Sequence, residues 1–253
     1  MKRAEFTKKL IKQIARTNVE FELLKEGDRV LVGLSGGKDS LTLVHALKHI
    51  QRVAPYDFTF KAVTISYGMG ENYDFLTKHC EEYGIEHTVY ETEIFDLAKE
   101  KIRTNSSYCS FFSRMRRGAL YTYALQNGFN KLALGHHLDD AIESFFMNMF
   151  YNGAMRSMPP IYKSSKGLYV IRPLIETREK QLRGFVERNG FMAIGDEMCP
   201  AMRFDIKEPY VRENMKAFVS ELEGRFRDVV KYIKASFRHI HDDTFFDKER
   251  LKV

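Results

Sequence analysis

The chain has 253 residues, with 40 Lys plus Arg against 34 Asp plus Glu, a net charge of +6, and 44% hydrophobic residues that include 20 Phe and 13 Tyr but no Trp. This composition supports a sizeable core and excludes disordered and collagen-like chains. No apolar run approaches the roughly 18 residues of a membrane span, and three cysteines are too few for a disulfide framework.

Residues 1–16 carry Lys2, Arg3, Lys8, Lys9, Lys12 and Arg16 against Glu5 alone, so most of the net charge lies in this arm. Phe6, Leu10, Ile11 and Ile14 recur there at helical spacing, which predicts an amphipathic basic helix. The N-terminus lacks an apolar stretch and small-residue cleavage site, so a cytoplasmic location without a membrane is expected. Strands are then predicted at Arg29–Leu34, Phe58–Ser66, His87–Glu93, Lys131–His136 and Tyr169–Leu174. Helices are predicted at Ser40–Val53, Tyr73–Tyr83, Ser113–Gln126, Asp139–Tyr151 and Arg178–Asn189. This alternation means βαβ units and an α/β, doubly wound, mostly parallel sheet. Pro159-Pro160 reads as a stiff loop, and beyond Glu208 only helical spacing persists. The expected organisation is a basic helix over 1–20, a main domain over 21–200 and a helical appendage over 201–253.

Directly after the first strand comes Ser35-Gly36-Gly37-Lys38-Asp39-Ser40, which opens a helix. Strand, glycine turn and helix start together cradle phosphate: the glycines let backbone N–H groups approach, the helix end adds donors and Lys38 adds charge. Ser35 and Ser40 can donate hydroxyl hydrogen bonds, and Asp39 makes sense as a ligand for a divalent cation. Val32 and Asp39 break the Walker A pattern. The six residues resemble instead the PP-loop of ATP pyrophosphatases, which cut ATP between its α and β phosphates. A second cluster, Gly135-His136-His137-Leu138-Asp139-Asp140, also follows a strand and is expected at the same crevice, with Gly135, His136, His137 and Asp140 as candidate nucleotide contacts. Capping by Asp139 or Asp140, supported by Glu143, is the alternative reading of that cluster.

The stretch from Cys109 to Tyr121, containing Arg114, Arg116 and Arg117, resembles a segment of the TtcA-type tRNA 2-thiocytidine synthetases, a PP-loop family. Asn148 to Tyr151, Met158-Pro159-Pro160, Ile171-Arg172-Pro173-Leu174 and Arg178-Glu179-Lys180 are similar to that family in the same order. The resemblance implies ATP and Mg2+ as cofactors, with Asp39 as the metal ligand, and tRNA as substrate. It implies adenylation of the C2 oxygen of an anticodon-loop cytidine and its replacement by sulfur. Family members hold a [4Fe-4S] cluster through three cysteines. Here Phe112 and Asp196 stand at two of the cysteine motif positions, and Cys109 and Cys199 remain, so no conventional cluster is expected. Cys80 reads as a buried small hydrophobe.

Three consequences compete. Cys109 and Cys199 act as a persulfide pair beside the Arg cluster, with Lys38 and Asp39 serving adenylation; or an amine replaces sulfur, as in lysidine synthetases; or the protein binds tRNA and nucleotide without thiolation. The first is favoured, and it needs a sulfur donor such as a cysteine desulfurase or sulfide; a homodimer is one option for the assembly. Lys8, Lys9, Lys12, Arg114, Arg116, Arg117 and Arg172 are the candidate tRNA contacts, the Arg cluster being placed at a helix start against the dipole. Tyr108, Phe111 and Phe112 are candidates for stacking on an unpaired base, with a core role for the two Phe as the alternative. Replacing Lys8, Lys9 and Lys12 with Gln is expected to weaken tRNA binding and flatten its salt dependence in a filter-binding titration; unchanged binding would refute the basic arm.

Overall fold

The computed structural model describes residues 2–101, 108–195, 211–241 and 244–246, apart from the side chains of residues 101, 109 and 110. Contacts divide the chain into two compact units, residues 1–139 with 159–209 and residues 140–158 with 210–253.

In the larger unit, α1 (Lys8–Glu20) starts later than the expected basic helix over 1–20 and ends where expected. Thr7 sets its start, the side-chain oxygen accepting from Leu10 N at 3.2 Å. Leu10 and Ile14 are buried in the core, while Lys8, Lys9, Lys12 and Arg16 stay exposed. Residues ahead of the helix run along α3 (Asp74–Tyr83), with Lys2 N donating to Glu82 O at 3.1 Å.

Among the described residues, six strands form one sheet: β1 (Arg29–Gly33), β2 (Thr59–Ile65), β3 (His87–Tyr90), β4 (Lys131–Ala133), β5 (Ile161–Lys163) and β6 (Tyr169–Ile171). Their order is β3-β2-β1-β4-β6-β5. All pairings are parallel except β5 with β6. Alternate residues of β1 serve opposite faces. Val30 and Val32 join a core with α1, α2 (Lys38–Val53) and α7 (Glu179–Asn189), and Leu31 joins one with α4 (Ile94–Lys101) and α5 (Tyr108–Gln126). The doubly wound α/β reading therefore holds.

Several boundaries differ from expectation. β4 stops at Ala133 and β6 at Ile171, although Leu134 N still donates to Ile171 O at 3.0 Å as the chain enters the strand-end loop. β5 and α4 were not anticipated: β5 is three residues at the edge, and α4 is two turns. α5 already includes Tyr108, so Arg114, Arg116 and Arg117 lie within the helix rather than at its start, and the dipole argument for them fails. Phe112, only 2% exposed, packs against Tyr67 and Phe95 in the core and cannot stack on a base. Cys80 is fully buried, and burial pushes its thiol up to about 12.

The smaller unit contains the body of α6 (Leu138–Asn152), with α8 (Val211–Arg225) and α9 (Val229–Ser236). Phe146 meets Phe150 and Phe218, and Phe145 meets Phe237, so aromatic rings join α6 to the later helices.

His45 on α2 lies 2.8 Å from His79 on α3, nitrogen to nitrogen, and stacks on Phe191. Burial, then the charges of His79 and Arg52, lower His45 to about 3, and burial lowers His87 to about 4. Both are neutral in the fold and take up protons on unfolding below their ordinary value of 6.5. The unfolded chain then binds more protons, so stability is lost as pH falls from 6.5 towards about 4 for His87 and about 3 for His45. Urea titrations across this range should show a shallower acid loss for His45→Phe than for the wild type; parallel curves would contradict the assignment.

Candidate functional site

In a doubly wound sheet, ligands sit beyond the carboxyl ends of strands where the order reverses. Here that point lies between β1 and β4, neighbours in the sheet whose chain connections run to opposite sides. The two clusters singled out in the sequence follow these two strands.

After β1, the chain enters Ser35 to Gly37 and α2 begins at Lys38, two residues earlier than expected, with Gly37 as its N-cap. Gly36 has φ of 82°, and a Cβ there would collide with Ile194, whose backbone N–H donates to Gly36 O at 2.9 Å. The Ser40 hydroxyl is buried and spends its proton inside the loop: it donates to Gly37 O at 3.0 Å and accepts from Ser35 N at 3.2 Å. It braces the loop, whereas Ser35 is exposed.

After β4, Gly135 lies directly on the start of α2. A Cβ there would come within 3.1 Å of the Asp39 carbonyl carbon and 3.2 Å of Ser40 N, so glycine permits the two turns to touch. His137, 5% exposed, stands between two carboxylates, Nε2 at 3.8 Å from Asp39 and Nδ1 at 3.6 Å from Asp139. Asp139 does not cap its own helix. Its carboxylate accepts from Glu179 N at 2.7 Å and from Arg178 Nε at 2.9 Å, which makes it the acceptor at the start of α7.

Glu179 in turn reaches Lys38 at 3.0 Å, and Asp39 stands 3.5 Å from the same ammonium. Burial works against the Lys38 charge, but these two carboxylates outweigh it and hold its pKa above the ordinary lysine value. The loop thus presents a fixed cation, a carboxylate and a helix start. Neither Glu179 nor Ile194 was singled out as part of the loop site, because each is far from it in sequence.

His136 Nδ1 accepts from Arg172 Nε at 3.3 Å, which leaves the proton of the neutral ring on Nε2. Arg172 is 6% exposed, donates to Pro159 O at 2.7 Å and lies over Tyr162, itself 2.9 Å from the Tyr121 hydroxyl. Its guanidinium is engaged inside the protein, where it orients His136. Arg114 and Arg117 are exposed and Arg116 is half-buried. In the smaller unit, Asp140 and Glu143 are buried and both are paired with Arg212, Glu143 at 3.3 Å. Glu143 is therefore an ion-pair partner and no part of a capping box. Burial and then Asp140, opposed by Arg212, give Glu143 a raised pKa. Cys199, Asp196 and the side chain of Cys109 lie outside the described residues.

A phosphate cradle between the two central parallel strands of an α/β sheet defines a nucleotide-binding domain of the PP-loop class, and the PP-loop domain family matches residues 4–216. The protein is 38% identical over 249 residues to the tRNA-cytidine(32) 2-sulfurtransferase of Geobacter metallireducens, covering 97% of this chain and 95% of that one. It is 35% identical over 251 residues to the enzyme of that name from Pseudomonas fluorescens, covering 97% and 90%. It belongs to the tRNA-cytidine(32) 2-sulfurtransferase family. Among solved structures, the fold is similar to the U34-tRNA thiolase NcsA from Methanococcus maripaludis with its [4Fe-4S] cluster, with a TM-score of 0.71, 24% identity and coverage of 95% and 83%. It is also similar to NAD+ synthetase from Burkholderia pseudomallei, with a TM-score of 0.51, 18% identity and coverage of 91% and 87%.

Gly135→Ala is expected to push the Asp39 backbone away from β4, costing about 1–3 kcal/mol in urea unfolding, and to weaken ATP binding measured by calorimetry. Wild-type affinity in that variant would show that the approach of the two turns is immaterial.

Proposed function

We propose that this protein uses ATP to adenylate the C2 oxygen of a tRNA anticodon-loop cytidine and replaces that oxygen with sulfur. The observation that carries this reading is the full-length similarity to tRNA-cytidine(32) 2-sulfurtransferases, joined to a phosphate loop whose lysine is held by two carboxylates. A carbonyl oxygen is a poor leaving group. Attack of that oxygen on the α-phosphorus breaks the α–β anhydride, releases pyrophosphate and converts the oxygen into one that can depart with AMP.

The backbone N–H groups from Gly36 to Lys38 and the Lys38 ammonium receive the pyrophosphate charge as it develops. Glu179 and Asp39 keep Lys38 charged and extended until phosphate takes their place. Asp39 fits a magnesium ion bound in the usual way, through one carboxylate plus substrate phosphates. Such an ion would supply added charge stabilisation for the departing pyrophosphate. His136, oriented by Arg172, offers an Nε2 proton to the nucleotide, and His137 lies between Asp39 and Asp139, at 3.8 and 3.6 Å from them. Gly135 contributes by permitting close approach. Asp140, paired with Arg212, is available as a nucleotide contact only if that pair opens.

In the sulfur step, the outer sulfur of a Cys109 persulfide attacks C2 and AMP leaves with the C2 oxygen. The Cys199 thiolate then attacks the inner sulfur, freeing 2-thiocytidine and forming a Cys109–Cys199 disulfide that a thiol reductant resets. The persulfide comes from a donor such as a cysteine desulfurase. A three-cysteine cluster site does not fit these residues, since Phe112 is packed in the core and has no donor atom. Lys8, Lys9, Lys12, Arg114, Arg116 and Arg117 grip the tRNA, and Arg172 acts through His136 instead. The protein works in the cytoplasm; among the described residues no helix is long and apolar enough to cross a membrane.

Mass spectrometry of tRNA nucleosides from cells with and without the gene tests the reaction: 2-thiocytidine is expected to vanish on deletion, and its persistence would overturn the reading. Lys38→Ala should depress tRNA-dependent adenylation by about 100-fold or more, whereas Cys109→Ser should abolish thiolation while leaving adenylation in place. An amine-transfer enzyme would tolerate the cysteine change.

A further inference from the structure

A second cationic surface lies away from the phosphate loop, where residues 2–6 cross the C-terminal half of α2. A cavity of about 570 Å³ opens there, with Lys2, Arg3, Lys48, His49 and Arg52 in its lining and Tyr83 on one wall. None of its lining residues is a carboxylate. Of the cations, Lys2 is paired with Glu82 at 2.7 Å, and among the described residues Lys48 donates only to the neutral Gln51, at 3.3 Å.

Crowding of like charges in a recess costs the free protein stability, and the groups show it: burial and the neighbouring Arg52 charge lower the pKa of both Lys48 and His49. One cation at this end of a helix would be explained by the helix dipole. Four cations from two separate segments, Lys2, Arg3, Lys48 and Arg52, exceed what the dipole uses, and with only Lys2 carrying a carboxylate partner at 2.7 Å among the described residues, a polyanion would relieve their repulsion. The exposed Lys8, Lys9 and Lys12 of α1 follow directly in the chain, and Phe6, which joins the two segments, is stacked on Phe185 at 4.3 Å, so the arm is anchored in place.

We propose that this trough binds the phosphate backbone of the substrate RNA at a point remote from the reacting base. Fourteen residues of α2 separate Lys38 from Arg52, about 21 Å at the helical rise. The trough therefore takes a different stretch of the same RNA from the one that delivers its cytidine to the loop. This inference rests on the reading of the protein as a tRNA-modifying enzyme, and it makes the affinity for tRNA depend on residues that never meet the nucleotide site.

The test is a filter-binding titration of an unmodified tRNA transcript over a range of salt concentrations, with the full chain as wild type, Lys48→Gln/Arg52→Gln, Arg3→Gln, and a control, Lys25→Gln/Lys99→Gln, that removes the same charge elsewhere. Thermal melting establishes that each variant is folded; should the double variant not fold, Arg3→Gln alone decides. The expected result is weaker binding by Lys48→Gln/Arg52→Gln, with a slope of log affinity against log salt shallower by roughly 1.4–1.8, a smaller change of the same sign for Arg3→Gln, and a control that follows the wild type. Unchanged affinity and slope in the folded trough variants would overturn the proposal. So would an equal loss in the control, which would assign the effect to net charge. A wild-type protein that binds no tRNA would overturn the functional reading itself and the trough with it, so the two failures are told apart.

Discussion

Two turns touch at the middle of the sheet, and the candidate site depends on that contact. The backbone after β4 lies on the backbone that opens α2, with only the missing side chain of Gly135 making room. Because β1 and β4 are hydrogen-bonded neighbours, their ends arrive together, and the interiors of both strands are locked by buried residues on either face. The rigidity of a parallel sheet is thereby passed to a loop of six residues. A phosphate cradle made of backbone N–H groups needs such support, since its donors have no rotamers with which to adapt.

Around this contact the charges are arranged in series. Lys38 meets Glu179 and Asp39, His137 stands between Asp39 and Asp139, and Asp139 accepts from the first residue of α7 and from Arg178. Lys38 and Arg178 each have a carboxylate partner, so neither cation is isolated at this point. Incoming triphosphate would enter this series as an additional anion, with Lys38 the member best placed to change partners. The start of α7 contributes both the acid that holds Lys38 and the backbone donor that holds Asp139, so it belongs to the phosphate site as much as α2 does.

Much of this was legible in the sequence where the relevant residues are contiguous. The strand, the turn from Ser35 to Ser40 and the following helix are one local signal, and the alternation of strands and helices predicts the parallel sheet. The predicted strands run longer because apolar residues continue past the ends of β4 and β6: Leu134 N still donates to Ile171 O at 3.0 Å, and Leu174 serves the core from the turn. β5 is too short for its alternation to be read, and it pairs antiparallel at the edge. The link from Lys38 to Glu179 joins residues far apart in the chain, and single-sequence periodicity carries no record of such pairs. Arg172 illustrates the same limit: its charge suggested a nucleic-acid contact, whereas its burial against Tyr162 and His136 was set by the fold.

The buried thiol of Cys80 bears on the chemistry from an unexpected side. The proposed transfer of sulfur between thiols would expose every other cysteine of the protein to side reactions. Burial pushes the Cys80 thiol up to about 12, so it stays protonated near neutral pH, and its full burial keeps donors from reaching it. The proposed sulfur transfer would thus be insulated from the hydrophobic core without removing the cysteine that helps fill it.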